Sequence, residues 1–205
     1  MKKQCIISIS REYGSGGRDI AIRIAAELGF PIYNRDLIRE IAQRMNMDET
    51  ELKKYDEKAR NRFLTRSVGK YTNSMEEILI ERQFDWIREK ADSGESFVIV
   101  GRCAEMILRE YPGLISVFVT ADEEFKIKNI MRYLSVDEEK AKEEGIRIDR
   151  KRRTYHNRYS DYKWGDSRTY DMVINSAPLG VEGTAAILLS YIQARIDVMQ
   201  KPEKK

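Results

Sequence analysis

Long apolar runs are missing from this chain. Stretches such as Leu114 to Val119 fall far short of the ~20 residues that a bilayer-spanning helix needs, so no membrane segment is expected. The opening residues are basic, but only about five apolar residues precede Arg11 and Glu12, too few for a secretory signal. That segment is expected to be a strand of a cytoplasmic protein. Histidine is scarce too. His156 is the only one, which argues against a Ser/His/Asp set, and no Cys or His cluster has metal-ligand spacing. His156 itself sits among arginines and reads as a surface residue with no role. The two cysteines, Cys5 and Cys103, fall at opposite ends of expected strands, ~17 Å apart, and read as free thiols. Net charge is small as well. Lys+Arg 37 against Asp+Glu 34 leaves +3, which makes no overall case for nucleic acid or an anionic membrane.

What is present is an alternation of strand and helix patterns. At 205 residues the chain fits one domain that buries about 70% of the surface its unfolded form exposes. Cys5 to Ser10, Pro31 to Tyr33, Phe97 to Val100, Leu114 to Val119 and Asp171 to Asn175 read as five short apolar strands. Between them, Ile20, Ala21, Ile24, Ala25 and Leu28 keep helical spacing, as do Leu37, Ile38, Ile41 and Ala42, the segment Met75 to Ala91, and a last helix carrying Ala185, Leu188, Leu189, Ile192 and Ile196. Asp48 with Glu51, Thr120 with Glu123, and Ser135 with Glu138 read as capping boxes that open further helices. Near-continuous apolar strands alternating with helices imply a parallel sheet covered on both faces. Ligands in such sheets sit beyond the carboxyl ends of the strands. Three of those ends carry suggestive residues: the loop after Ser10, Gly101-Arg102, and Asn175-Ser176.

The loop Ser10 to Ala21 places Gly14, Gly16 and Gly17 between the first strand and the first helix. Such a loop turns successive amides inward beside the positive end of a helix, so Gly14, Ser15, Gly16, Gly17, Arg18 and Asp19 are candidates to hold phosphate. A tight strand-to-helix turn without a ligand is the plainer reading, and the flanking arginines weigh against it. Against the G-x-x-x-x-G-K-[ST] motif, Gly17 stands where lysine belongs, Arg18 where the magnesium-binding hydroxyl is expected, and Arg11 in place of the first glycine. Charge must then come from Arg18 or another arginine. Magnesium is left to the nucleotide itself, to water, or to Ser10, Ser15 or Asp19.

At these residues the chain resembles cytidylate kinases, and more closely the divergent cytidylate kinase-like group. The segment from Ile20 to Ile38 looks like that family's first helix and following strand, with Asn34 and Arg35 at the start of its monophosphate-binding region. Gly101-Arg102 resembles the Gly-Arg-Asp step whose arginine grips the acceptor phosphate, with Cys103 standing where the base-reading aspartate would be. Arg150, Arg153 and Arg158 look like the arginines of a mobile lid. The resemblance implies a P-loop kinase three-layer α/β sandwich with a parallel five-stranded sheet. A helical acceptor-binding insertion at about residues 35–75 and an arginine-rich lid at about 135–168 would belong to one domain spanning 1–205. It implies ATP with Mg²⁺ and phosphoryl transfer to a nucleoside monophosphate, CMP or dCMP first. Arg18, Arg102, Arg150 and Arg153 would be catalytic, and Asn34, Arg35, Asp36 and Arg102 would take the acceptor.

Arg150 and Arg153 lie three apart on one helix face, with Arg158 two turns beyond Arg150. Arginine suits the task because its planar fork meets phosphate with paired hydrogen bonds. From Arg147 to Arg168 there are eight Lys or Arg against three Asp, with Tyr155, Tyr159, Tyr162 and Trp164 interleaved. The same composition fits a solvated helix or, as a weaker choice, a nucleic-acid surface. Trp164 reads either as a base-stacking ring or as packing, and Asp36 and Asp171 either as ligand contacts or as turn residues. Two further readings stand beside the nucleotide kinase: a kinase for a non-nucleotide small molecule, and a nucleotide sensor that has lost catalysis.

Overall fold

The computed structural model describes residues 3–34, 37–45, 48, 50, 67–68, 71–72 and 75–200. Its frame is a parallel sheet of five strands, β1 (Ile6–Arg11), β2 (Ile32–Tyr33), β5 (Phe97–Val100), β6 (Leu114–Thr120) and β7 (Met172–Asn175), in the order β2-β5-β1-β6-β7. Ile6 is opposite Phe97 on one side and Leu114 on the other, so β1 is central. Two short strands, β3 (Ser67–Val68) and β4 (Tyr71–Thr72), pair antiparallel apart from this sheet. They fall within the segment expected to form a helical insertion, most of which lies outside the described residues. Two-residue strands are too short for any period to show, and only their β-branched and aromatic residues hint at them.

Alternation along β1 sorts its side chains onto two faces. Ile7 and Ile9 join Val98, Val100, Val117 and Val119 in a core under α1 (Gly17–Leu28) and α7 (Gly180–Gln200), through Ile20, Ile24, Leu188 and Ile192. Ile6, Phe97 and Ile99 pack on the opposite face under α2 (Leu37–Met45), α3 (Met75–Asp92) and α4 (Ala104–Ile107), through Ile41, Leu79, Trp86 and Ile87. Each fully buried aliphatic side chain stabilises by about 1.5–3 kcal/mol, and these two layers supply most of the fold's driving force. Helices α5 (Glu123–Leu134) and α6 (Glu138–Tyr159) pair with each other beyond the carboxyl end of the sheet.

The starts of α5 and α6 differ from the expected capping boxes. Thr120 ends β6 and spends its hydroxyl on Glu12 at 2.7 Å, so α5 begins after Asp122 instead. Ser135 closes α5 in the left-handed region, and Asp137 caps α6 by accepting from the Lys140 amide at 2.9 Å. Asp48 does accept from the Thr50 amide at 2.8 Å, while Glu51 and the helix expected to follow lie outside the described residues.

Candidate active site

The glycine loop leaves the central strand and is fastened both from within and from outside. Its carbonyls are engaged by Ser15 Oγ on Glu12, Asn129 Nδ2 on Gly14 at 2.8 Å, and Ser176 Oγ on Ser15 at 2.6 Å. Ser176 is one of the strand-end residues picked out by the sequence, and its task is to hold this loop. Gly16 is the N-cap of α1 at φ 74° and offers no side-chain acceptor. The Gly17 amide makes only a long contact, 3.4 Å, with Ser15 Oγ, and the Arg18 and Asp19 amides, like other first-turn amides, have no partner inside the helix, so they face an anion site beside the positive end of the dipole. Gly14 sits at φ 83°, and a Cβ there would stand 2.6 Å from the Lys126 carbonyl oxygen. Gly14→Ala is therefore expected to cost about 2 kcal/mol or more, lowering Tm by roughly 4–8 °C. A thermal melt checks it, and an unchanged Tm would contradict the loop geometry.

This loop forms one wall of a cleft of about 340 Å³. Arg11, Arg18, Arg102, Lys151 and Arg152 line it, against the carboxylates of Glu12 and Asp19. Glu12 is already neutralised by Lys126 at 2.9 Å. An excess of positive charge in a concave site favours polyanions, and arginine forks favour phosphate among them. Arg102 is 8% exposed, and its Nη1 donates to Gln83 Oε1 at 3.1 Å. Gly101, Arg102 and Cys103 hold φ at 77°, 65° and 55° in succession. A non-glycine residue in that region costs of order 1–3 kcal/mol, and such strain collects at functional sites. Here the strained turn carries Arg102, which lines the cleft while Gln83 of α3 holds its guanidinium.

The basic helix α6 meets the cleft along a face set one residue off the expected one. Asp149, Arg152 and His156 follow helical spacing and point at the sheet. Asp149 accepts from the Tyr13 amide at 2.8 Å, and Arg152 Nη1 donates to the Arg11 carbonyl at 3.1 Å. Burial pushes the Asp149 carboxyl above its ordinary value, opposed by the Tyr13 amide and then the Arg152 charge. Arg150 and Arg153 instead line a second cavity between α5 and α6, with Lys126, Ile130 and Gly145. Arg158 is paired with Glu77 of α3 at 2.6 Å. Lys151 and Arg152 are thus the cations of this helix that line the cleft.

His156 is not on the surface. It is 4% exposed, and its Nε2 lies 2.8 Å from Oε1 of Glu105, also buried. Glu105 further accepts from Ser8 Oγ at 3.3 Å and Ser10 Oγ at 3.2 Å. Tyr170 OH stands 3.5 Å away, and burial beside this carboxylate pushes its phenol far up. This network ties α6 to the central strand just beneath the cleft. Its sequence signal was the pair Ser8 and Ser10 on one face of an otherwise apolar strand, since buried hydroxyls need partners.

The other sequence candidates divide. Asn34, Asp19 and Trp164 line the cleft, and Trp164 also packs edge-on against Phe118. Arg35 and Asp36 lie outside the described residues. Asp171 stands at the amino end of β7, away from the cleft. It accepts from Ser116 N at 2.8 Å and pairs with Arg195 at 2.8 Å, a structural role. Both cysteines are free and buried. Burial pushes the Cys5 thiol up to about 11 and the Cys103 thiol well above its usual range, so neither is a poised nucleophile. Among the described residues no helix is long and apolar enough to cross a membrane, and no group of three or more His, Cys, Asp or Glu could hold a metal ion.

The chain is similar to known proteins in sequence and in fold. A family model described as the cytidylate kinase-like family matches residues 6–178. A cytidylate kinase of Pyrobaculum islandicum is 28% identical over 193 residues, covering 91% of this chain and 92% of its own. One from Saccharolobus islandicus is 24% identical over 199 residues, covering 97% and 94%. Among solved structures, an uncharacterized protein from Eubacterium ventriosum superposes with a TM-score of 0.75 at 35% identity, over 93% of this chain and 99% of that one. A shikimate kinase from Bacteroides thetaiotaomicron shares the fold, with a TM-score of 0.55 at 13% identity over 92% and 98%.

Proposed function

Because the chain belongs to the cytidylate kinase-like family, we propose that it transfers the terminal phosphoryl group of ATP to a nucleoside monophosphate, with CMP or dCMP the first acceptors to try. The observation that supports this reading is one cleft lined by the start of α1 with Arg18 and by Arg102 of the turn after β5. Phosphoryl transfer needs positioning and charge stabilisation more than covalent chemistry. An acceptor phosphate oxygen forms a bond to the γ-phosphorus as the bond to the bridging oxygen breaks, and that electron pair stays on ADP.

In this reading the loop 14–19 cradles the donor phosphates, Arg18 adds charge from the helix start, and Arg102 grips the acceptor phosphate with Asn34, Arg35 and Asp36 on the acceptor side. Helix α6 covers both and excludes water, which would otherwise take the phosphoryl group. Lys151 and Arg152 are its nearer cations, with Arg150 and Arg153 brought in by any further turn of the helix. Magnesium would arrive with the nucleotide and would supply positive charge to its phosphate oxygens. Asp19, which also accepts from the Tyr133 hydroxyl at 2.9 Å, is the cleft carboxylate that could face it, while the Ser10 and Ser15 hydroxyls donate to Glu105 and Glu12.

The test is ADP formation with CMP, dCMP, UMP and AMP in turn. Turnover above background with a pyrimidine monophosphate is expected, and none with any of the four would remove the reading. One observation favours a second acceptor class. Cys103 is buried and offers no carboxylate to a base, so a phosphate-bearing small molecule without a cytosine belongs in the same panel. ATP binding without any transfer would favour the sensor.

A further inference from the structure

Two departures from the phosphate-loop motif meet in space. A Cβ built on Gly17 would stand 2.6 Å from Cβ of Arg11 and 3.1 Å from its Cγ. Real Cβ atoms do not approach that closely, and the near end of a strand residue cannot swing away. The stem of Arg11 therefore fills the space that any side chain at position 17 would need. At its far end, a Cβ on Gly101 would stand 2.5 Å from Arg11 Nη1. The side chain runs from the start of α1 to the Gly101-Arg102 turn and lines the cleft along the way. Its backbone is fixed as well, because Arg11 is paired with Val119 in the sheet and its carbonyl accepts from Arg152.

We propose that the two changes are one exchange: Arg11 supplies, from the strand end of the loop, the cationic contact to donor phosphates that a lysine at position 17 makes in the usual motif. This assignment deepens the kinase reading and rests on it. Glycine at 17 is what lets the arginine stem pass beneath the helix start, and glycine at 101 is what lets its fork reach the cleft. A planar fork with five donors binds terminal phosphate oxygens at two points where lysine gives a single charge. During transfer Arg11 exchanges no proton; it holds the negative charge on the phosphate oxygens while the bridging bond breaks toward ADP.

The test uses the full chain with two readouts, binding of a fluorescent ATP analogue without acceptor and ADP formation with the acceptor panel. Arg11→Ala is expected to weaken analogue binding and turnover by roughly tenfold to hundredfold. Gly17→Lys alone is expected to lose binding through collision with the Arg11 stem. Arg11→Gly combined with Gly17→Lys, which restores the usual arrangement, is expected to bind better than either single variant. Arg11→Lys keeps the stem and a charge, so it carries the comparison should Arg11→Ala melt early; it is expected to bind more weakly than the unsubstituted protein and better than Arg11→Gly. Analogue affinity within twofold for both Arg11→Ala and Arg11→Lys would overturn the proposal, and so would a double variant no better than its worse parent. Analogue binding without turnover on any acceptor fails the kinase reading alone and leaves the Arg11 comparison intact. No analogue binding by the unsubstituted protein would sink both.

Discussion

Arg102→Ala is expected to lower kcat/KM for the acceptor by about 10- to 150-fold, which corresponds to losing about 1.5–3 kcal/mol of hydrogen bonding to a charged group. ATP-analogue affinity should stay within twofold. The asymmetry follows from position, since Arg102 belongs to the turn after β5 whereas Arg18 belongs to the first turn of α1. Arg18→Ala should show the converse, with donor affinity falling first. Arg102→Lys should recover only part of the loss, because a single ammonium cannot replace the bidentate fork. Steady-state kinetics with each substrate varied in turn separates these outcomes. Equal loss for donor and acceptor in the Arg102 variant would mean that the guanidinium belongs to both sites or to neither.

Glu105→Ala carries the largest expected effect on stability. The carboxylate collects Ser8, Ser10 and His156 in a buried setting, and its removal leaves all three without their acceptor. Breaking one member of a buried charged network costs about 3–5 kcal/mol, and for a chain of this size that is a Tm drop of roughly 6–20 °C. His156→Leu should cost less in the Glu105→Ala background than alone, because the two side chains share one interaction. A drop below about 1 kcal/mol for Glu105→Ala, or strict additivity of the pair, would show that the network is held together by water instead. A variant that still folds should also transfer phosphoryl groups more slowly and hydrolyse ATP relatively more. Without this tie, α6 keeps Asp149, Arg152 and the Arg158–Glu77 pair but loses its buried anchor to the central strand.

The inner strands β1, β5 and β6 were legible because each is a nearly continuous apolar run, as a strand buried on both faces must be, while the partly buried edge strands β2 and β7 show only short apolar segments beside turns. The glycine loop was legible for the same kind of reason: its conformation demands a residue type, and the sequence shows it. What escaped depended on tertiary contact. The capping boxes at Thr120 and Ser135 had the right spacing, but Thr120 was claimed by Glu12 and Ser135 by the end of the preceding helix. Arginine spacing points to Arg150 and Arg153 but cannot say which face of α6 meets the sheet, and it is Lys151 and Arg152 that line the cleft. His156 looked exposed by its neighbours in sequence, and only the fold brings Glu105 to it. Arg35 and Asp36 stand outside the described residues, and their assignment to the acceptor rests on resemblance.

The central claim is that the turn after β1 binds phosphate through main-chain amides although position 17 carries no lysine. A crystal structure with a non-hydrolysable ATP analogue and Mg²⁺ tests it most directly. The expected result places the β- and γ-phosphate oxygens about 2.7–3.2 Å from amides of Gly14 to Arg18, with the Arg11 fork against the same oxygens. An ordered nucleotide whose phosphates lie elsewhere, with those amides facing only solvent, would contradict the account.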